Sequence, residues 1–247
     1  MAQLEGKVIA ITGAASGIGA ATARLAAARG ASLSLCDVNE DALNKIVSEL
    51  KGKGVNVIGQ RVDVSNSDSV DAWTAATVKH FGKLDGAANI AGVEALPGGK
   101  VFAKIVDITN EHWDFIMDIN LKGLFYCLRA QLRVMDRGAS VLNVASMAGL
   151  MGRPNIAAYS SSKHGVVGLT RTAAKEVGER GIRVNALAPL RTDGGTSNQP
   201  VTNTYKTLPL QRLGTPDDMA KTICFTLSDD SSFTTGATFS ADGGVAC

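Results

Sequence analysis

The chain has 247 residues, 45% of them hydrophobic and 19% charged, enough to bury one sizeable core and too ordered a composition for a disordered protein. Its formal net charge of +2 comes without any Lys/Arg-rich tract, which argues against nucleic acid or an anionic membrane as a partner. No apolar run approaches the length of a membrane helix, and a soluble, cytoplasmic protein is expected.

The opening stretch from Met1 to Lys7 lacks a charged start followed by a long apolar core, so no signal peptide is expected. It leads into a first predicted strand, Lys7 to Thr12. Next comes Thr12-Gly13-Ala14-Ala15-Ser16-Gly17-Ile18-Gly19, and a helical pattern over Gly17 to Arg29. Glycines between a strand and a helix permit a tight turn, bring backbone close to phosphate and leave the helix amino end facing the anion. A lone glycine turn is as readily structural. Its position at the start of a β-α-β unit assigns Gly13, Ser16, Gly17, Ile18 and Gly19 to a dinucleotide site.

The second strand, Ser32 to Asp37, ends about twenty residues beyond the glycines, where a carboxylate can accept hydrogen bonds from an adenosine ribose. Asp37 would also repel a 2′-phosphate, and no Arg or Lys stands at Ala14 to Ser16 to bind one. NAD(H) is therefore favoured over NADP(H). The alternative for Asp37 is a turn or capping residue before Asn39. A helix over Asp41 to Lys51 precedes the third strand, Val55 to Gln60, after which Asp63-Val64 suits adenine contact or ordinary helix entry. A helix over Ser67 to His80 leads to the fourth strand, Leu84 to Ala88. Asn89, Ala91 and Gly92 follow it, and the small residues let the chain pass close to a cofactor.

Glu94 to Ile108 interrupts the rhythm. A long helix is predicted over Glu111 to Asp136, then a strand over Ser140 to Val144, a helix over Ala157 to Arg180 and a strand over Arg183 to Ala188. The polar, turn-rich segment 190–214 follows a strand end and reads as a substrate lid. A helix over Pro216 to Ser228 and a strand over Ala237 to Ser240 complete the chain. Alternating elements with buried strands predict one α/β domain over residues 1–247, a doubly wound parallel sheet that binds ligands beyond its strands' carboxyl ends. Cys36, Cys127, Cys224 and Cys247 are scattered, as are His80, His112 and His164. Neither a disulfide framework nor a metal site is expected.

Tyr159 and Lys163 lie four residues apart, on one face of their helix. A phenol titrates near pH 10. A cation about 4 Å away is worth roughly 4 kcal/mol at an effective dielectric near 20, or about three pKa units. That shift would let Tyr159 exchange protons near neutrality. In isolation such a spacing usually marks a packed tyrosine and a solvated lysine.

Together the glycine turn, Asp37, Asp63-Val64, Asn89-x-Ala91-Gly92, Asn120, Ser146, Tyr159-x-x-x-Lys163 and Ser240-Ala241-Asp242-Gly243-Gly244 resemble the short-chain dehydrogenase/reductase family along nearly the whole chain. The resemblance implies a Rossmann-type sheet of seven strands, a nicotinamide cofactor, a small-molecule substrate and a homo-oligomer, tetramer or dimer. It also implies roles. Ser146 would hydrogen-bond the substrate oxygen, Tyr159 would exchange its proton, Lys163 would lower the tyrosine pKa and hold the nicotinamide ribose, and Asn120 would hold a water linking Lys163 to solvent. Pro189 and Thr192 would lie beside the nicotinamide, with Thr192 on its carboxamide. The stretch Asp85 to Val93 is similar to fungal secondary-metabolism members such as chanoclavine-type dehydrogenases.

Two positions depart from the family pattern. Ile90 stands where a second Asn is usual. Leu190 replaces the glycine that commonly follows Pro189, and loss of that glycine's freedom at φ > 0 predicts a different backbone path beside the nicotinamide. The leading function is NAD(H)-dependent interconversion of a secondary alcohol and a ketone, or a related amine and imine. A non-redox, cyclase-like enzyme and a non-catalytic cofactor-binding protein are the alternatives.

Overall fold

The structure is a computed structural model that describes residues 3–98, 102–190, 192 and 208–245. Seven strands, β1 (Val8–Thr12), β2 (Ser32–Asp37), β3 (Val57–Arg61), β4 (Gly86–Asn89), β5 (Ser140–Val144), β6 (Arg183–Pro189) and β7 (Thr238–Ala241), form one parallel sheet in the order β3-β2-β1-β4-β5-β6-β7. Among the described residues seven α-helices accompany them: α1 (Gly17–Ala28), α2 (Glu40–Gly52), α3 (Ser67–Phe81), α4 (Asn110–Met117), α5 (Gly123–Val134), α6 (Ala157–Val177) and α7 (Pro216–Leu227). The expected doubly wound Rossmann-type sheet is thus present. Most of the expected lid, 190–214, lies outside the described residues. Among those described, no helix is long and apolar enough to cross a membrane.

Alternation along β1 explains the two-layer packing. Ile9 and Ile11 join Ala20 and Ala23 of α1, Leu43 and Leu50 of α2 and Ile223 of α7 in one core. Val8 and Ala10 face the other, built from Trp73 of α3, Leu128 of α5 and Val166 of α6. Side chains point alternately to the two faces of a strand, so an all-apolar β1 must be covered on both sides.

Local chemistry sets the helix ends. At α7, Thr215 Oγ1 accepts a hydrogen bond from the Asp218 amide at 3.2 Å while the Asp218 carboxylate accepts from the Thr215 amide at 2.9 Å. This reciprocal cap, with Pro216 in the first turn, leaves few amide donors unsatisfied. The predicted helix over Glu111 to Asp136 is instead two helices, α4 and α5, joined by a π turn at Asp118–Lys122 in which the Gly123 amide bonds the Asp118 carbonyl. Hydrophobic spacing near 3.6 residues cannot reveal one wide turn inside an otherwise continuous pattern.

Polar groups also tie the layers together. The Asn89 amide donates to Gln131 Oε1 and Asn143 Oδ1, both at 3.0 Å, and accepts from Gln131 Nε2 at 2.9 Å. Asn143 in turn donates to Thr170 Oγ1 at 3.0 Å. The network joins β4, β5, α5 and α6 with its buried groups satisfied, as a low-dielectric interior requires.

The tightest backbone contact lies under α1. A Cβ on Gly19 would fall 1.9 Å from the Gly13 carbonyl oxygen. Replacing Gly19 by alanine should therefore lower unfolding stability by about 1–3 kcal/mol, read from urea midpoints. Gly168→Ala in α6, where a Cβ meets open space, should instead stabilise by about 0.5–1 kcal/mol. Equal midpoints for the two variants would show that the α1 contact carries no such constraint.

Candidate active site

The carboxyl ends of the strands open into a cleft of about 610 Å³, at the switch point where the strand order reverses between β1 and β4. Thr12, at the end of β1, laces the two sides together, its hydroxyl accepting the Ile90 and Ala91 amides at 2.9 and 3.1 Å. Gly13 follows at φ +66°, and a Cβ there would lie 3.0 Å from Ala91 Cα and N. Ser16 is the N-cap of α1 and makes no side-chain cap bond. Ser16, Gly17, Ile18 and Gly19 all line the cleft, so a helix amino end with its positive dipole borders it.

Asp37 closes β2 at the cleft wall. Its Oδ2 accepts the Ala15 amide at 3.0 Å and its Oδ1 the Asn39 amide at 2.9 Å. Two fixed bonds orient the carboxylate and leave acceptor positions over, since a carboxylate offers about four. Asp63 and Val64 line the same end, although Asp63 Oδ1 also holds the Ser65 amide and hydroxyl at 2.9 and 2.7 Å. Both uses expected of Asp37, a turn residue and a cleft-facing carboxylate, coexist here.

At the other end Ser146, Tyr159 and Lys163 converge. Ser146 caps the 3-10 turn Met147–Gly149 by accepting the Ala148 amide at 3.1 Å, and its hydroxyl lies close enough to the Tyr159 phenol to favour the ionised form. Lys163 is 4% exposed. It donates to the Val144 carbonyl at 2.9 Å, with its ammonium 5.7 Å from the Tyr159 ring centre. Asn120 lies behind them in the π turn. Its amide spans Val93, accepting from the Val93 nitrogen and donating to the Val93 carbonyl, each at 2.8 Å, and also donates to Ser162 Oγ at 3.2 Å. Gly92, Pro189, Leu190 and Thr192 complete this wall.

Several expectations change. Asn89 does not line the cleft, because its amide is committed to the buried network under the sheet. Leu190 is not at positive φ; its amide bonds the Ala241 carbonyl at 3.1 Å, prolonging the β6 to β7 pairing, so no glycine is required there. Sequence reasoning also missed three residues, Thr12, Ser162 and Gly149. Thr12 and Ser162 are short hydroxyl residues beside motif positions, and Ser162 donates to the Tyr159 carbonyl at 2.7 Å. At Gly149 a Cβ would lie 2.5 Å from the Lys163 carbonyl, so its lack of a side chain sets the distance between the Ser146 turn and α6. Glu94 lines the cleft near Tyr159.

Residues 13–246 match the family described as enoyl-(acyl carrier protein) reductase. The chain is 45% identical over 252 residues to the short-chain dehydrogenase/reductase aba4 of Botryotinia fuckeliana, covering 98% of this chain and 97% of that one. It is 43% identical over 249 residues to the short-chain dehydrogenase/reductase ABA4 of Pyricularia oryzae, covering 97% and 92%. Among solved structures, NAD+-bound xylitol dehydrogenase superposes with a TM-score of 0.89 at 32% identity, covering 98% of this chain and all of that one.

Electrostatics at the pair differ from the simple sequence picture. Burial pushes the Tyr159 phenol up to about 12, with the Glu94 charge adding to the rise and the Ser146 hydrogen bond opposing it. Burial brings Lys163 down to about 8, against a smaller upward pull from Glu94. The phenol is thus shifted up where pair spacing alone predicts a fall, because desolvation and the Glu94 charge outweigh the Ser146 hydrogen bond.

These shifts have opposite consequences for stability. Between about pH 8 and the ordinary lysine value of 10.5 the folded chain binds fewer protons at Lys163 than the unfolded chain, so stability rises with pH there. Between 10 and about 12 the folded chain binds more protons at Tyr159, so stability falls. Below pH 8 the buried ammonium costs on the order of 3 kcal/mol. We therefore expect Lys163→Met to be at least as stable as the natural chain at pH 7 and to lack the rise above pH 8. Urea midpoints across pH 6–10, following the window of those shifts, measure both; parallel profiles for the two proteins would contradict the assignment.

Proposed function

The chain belongs to the short-chain dehydrogenase/reductase family and is an oxidoreductase acting on CH–OH groups, and from that premise we propose that it interconverts a secondary alcohol and a ketone, or a related amine and imine, with NAD(H). The carrying observation is the convergence of Ser146, Tyr159 and Lys163 at one end of a cleft whose other end is a glycine turn and Asp37. The family uses NAD(P)(H).

The residues fit such a cofactor. Gly13 and Gly19 leave no Cβ where the turn meets Ala91 and where α1 meets Gly13, and the uncapped amino end of α1 suits a pyrophosphate. Asp37 suits the adenosine ribose, Asp63 and Val64 the adenine, Ala91 and Gly92 the passage of the chain alongside. Pro189 and Thr192 would border the nicotinamide. When bound, the nicotinamide supplies or accepts the hydride and, when oxidised, carries a positive charge. Preference for NAD(H) is supported by the fixed Asp37 carboxylate, which would repel a 2′-phosphate, and by the NAD+-bound state of the xylitol dehydrogenase neighbour.

In the reducing direction Tyr159, held protonated by its surroundings, donates its proton to the developing alkoxide. Ser146 donates a hydrogen bond to that oxygen and steadies its charge. Lys163 at neutral pH is a buried cation that favours the phenolate left behind and binds the nicotinamide ribose, while Asn120 holds a water that reconnects it with solvent. In oxidation the same groups act in reverse. We place this chemistry in one cytoplasmic domain over residues 1–247, with 190–214 as the substrate lid. Exposed Phe125 on α5 and Phe225 on α7 support assembly as a homo-oligomer, tetramer or dimer.

Tyr159→Phe should abolish hydride transfer, followed at the NADH absorbance band over a panel of ketones and secondary alcohols, and leave NADH binding nearly intact. Turnover at a rate similar to the natural chain would remove Tyr159 from the acid/base role. Asp37→Ala should narrow the difference in affinity between NADH and NADPH, and a natural chain that already binds NADPH more tightly would overturn the cofactor preference.

A further inference from the structure

Glu94 lines the cleft at the same end as Tyr159. Val93 is held at both its backbone nitrogen and its carbonyl by Asn120. Gly92 passes so close to the catalytic groups that a Cβ there would lie 3.2 Å from both Asn120 Oδ1 and Lys163 Nζ. The next residue, Glu94, is therefore anchored rather than placed by a free loop. It borders the main cleft and also a second recess of about 10 Å³ that it shares with Tyr159, Ile156 and His112.

The charges around the cleft are unevenly spread. Among the described lining residues, Asp37 and Asp63 serve the adenosine end, while Lys163, Glu94 and Arg153 stand toward Tyr159. The described lining also includes apolar Val93, Phe102, Met147, Ile156 and Leu190. A carboxylate in such a wall imposes a condition on what fills the space. An apolar substrate covering it removes water and returns no hydrogen bond, whereas a hydroxyl donates a charge-assisted one. A carboxylate has about four acceptor positions, enough to take a substrate hydroxyl beside a protein partner. A neutral donor suits the site better than a cation, since Lys163 already supplies positive charge beside it.

We infer that Glu94 is a specificity-determining residue that selects substrates bearing a second hydroxyl next to the reacting carbon, namely vicinal diols and the corresponding hydroxyketones. Its charge reaches the reacting centre, raising the pKa of both Tyr159 and Lys163. The inference rests on the oxidoreductase reading above. In oxidation one carbinol C–H would leave as hydride to the oxidised nicotinamide and its O–H proton would pass to Tyr159 in its phenolate form, giving a hydroxyketone. The second hydroxyl is unchanged and donates to Glu94. Sites built to hydrogen-bond a hydroxyl reject analogues that lack it far more strongly than apolar pockets reject a missing methylene.

The test compares cyclohexane-1,2-diol with cyclohexanol on the full chain, using steady-state kinetics with NAD+ and calorimetric binding of each alcohol to the NADH-loaded protein. The natural chain should favour the diol by about tenfold or more in kcat/KM, chiefly through KM. Glu94→Leu should erase or invert that ratio in both measurements, and Glu94→Gln, which keeps a neutral acceptor, should fall between. A ratio unchanged by Glu94→Leu, or no diol preference in the natural chain, overturns the inference while leaving the oxidoreductase reading intact. If Glu94→Leu does not fold, the Glu94→Gln ratios decide, and their equality with the natural chain is the overturning result. Absence of turnover on every alcohol and ketone, with cofactor bound, overturns both.

Discussion

The site depends on a single buried lysine holding two layers of the fold in register. Lys163 reaches from α6 to the carbonyl that ends β5, at 2.9 Å, and the same helix turn is met from above by Gly149. Tyr159 sits one helical turn before it, so the position of the phenol over the strand ends follows from the lysine's attachment. The arrangement is maintained against an energetic preference. An ammonium with 4% exposure is disfavoured relative to water, and the surrounding packing, including the Asn89, Gln131, Asn143 and Thr170 network, supplies the rigidity that keeps it there.

The two ends of the cleft are built on different principles. The Asp37 end is set largely by backbone: a glycine turn, a helix terminus and an aspartate whose two oxygens each accept a backbone amide. The Tyr159 end is set by residues drawn from the loop after β4, the π turn, the loop after β5, α6 and the end of β6. Its chemistry is therefore fixed in the middle, at Ser146, Tyr159 and Lys163, and adjustable at its margins, where Glu94, Phe102, Arg153 and Leu190 stand.

Much of this architecture is legible in the amino-acid sequence, for physical reasons. Apolar β-branched runs such as Val8 to Ile11 can only be satisfied on both faces, so the strands and their parallel pairing are readable, with ends displaced by a residue or two. The glycine turn and the Tyr159 to Lys163 spacing have rigid geometric meaning, and both hold in the fold. Similarity to fungal members is matched by the relatives from Botryotinia fuckeliana and Pyricularia oryzae. Inferences about a residue's surroundings are the ones that fail. Asn89 follows the right strand but turns inward, because its hydrogen-bonding partners lie 42 and 54 residues away. The Tyr159 pKa depends on burial that pair spacing does not encode. Leu190 occupies a position where a glycine's backbone is expected, and pairing with β7 carries it through at ordinary angles.

The π turn at Asp118–Lys122 has a geometric consequence for the whole half-sheet. One residue beyond the α repeat rotates everything downstream by roughly 100° about the helix axis. Helices α4 and α5 present different faces: α4 reaches the recess beside Ala103 and Ile108 through His112, and α5 joins the core through Cys127 and Leu128. The turn works as a phase adjuster between the two helices. Loss of a single residue within it would restore regular helix and leave one of the two helices facing the wrong way, which makes this stretch of chain intolerant of length change even though an ordinary helix of the same composition would absorb it.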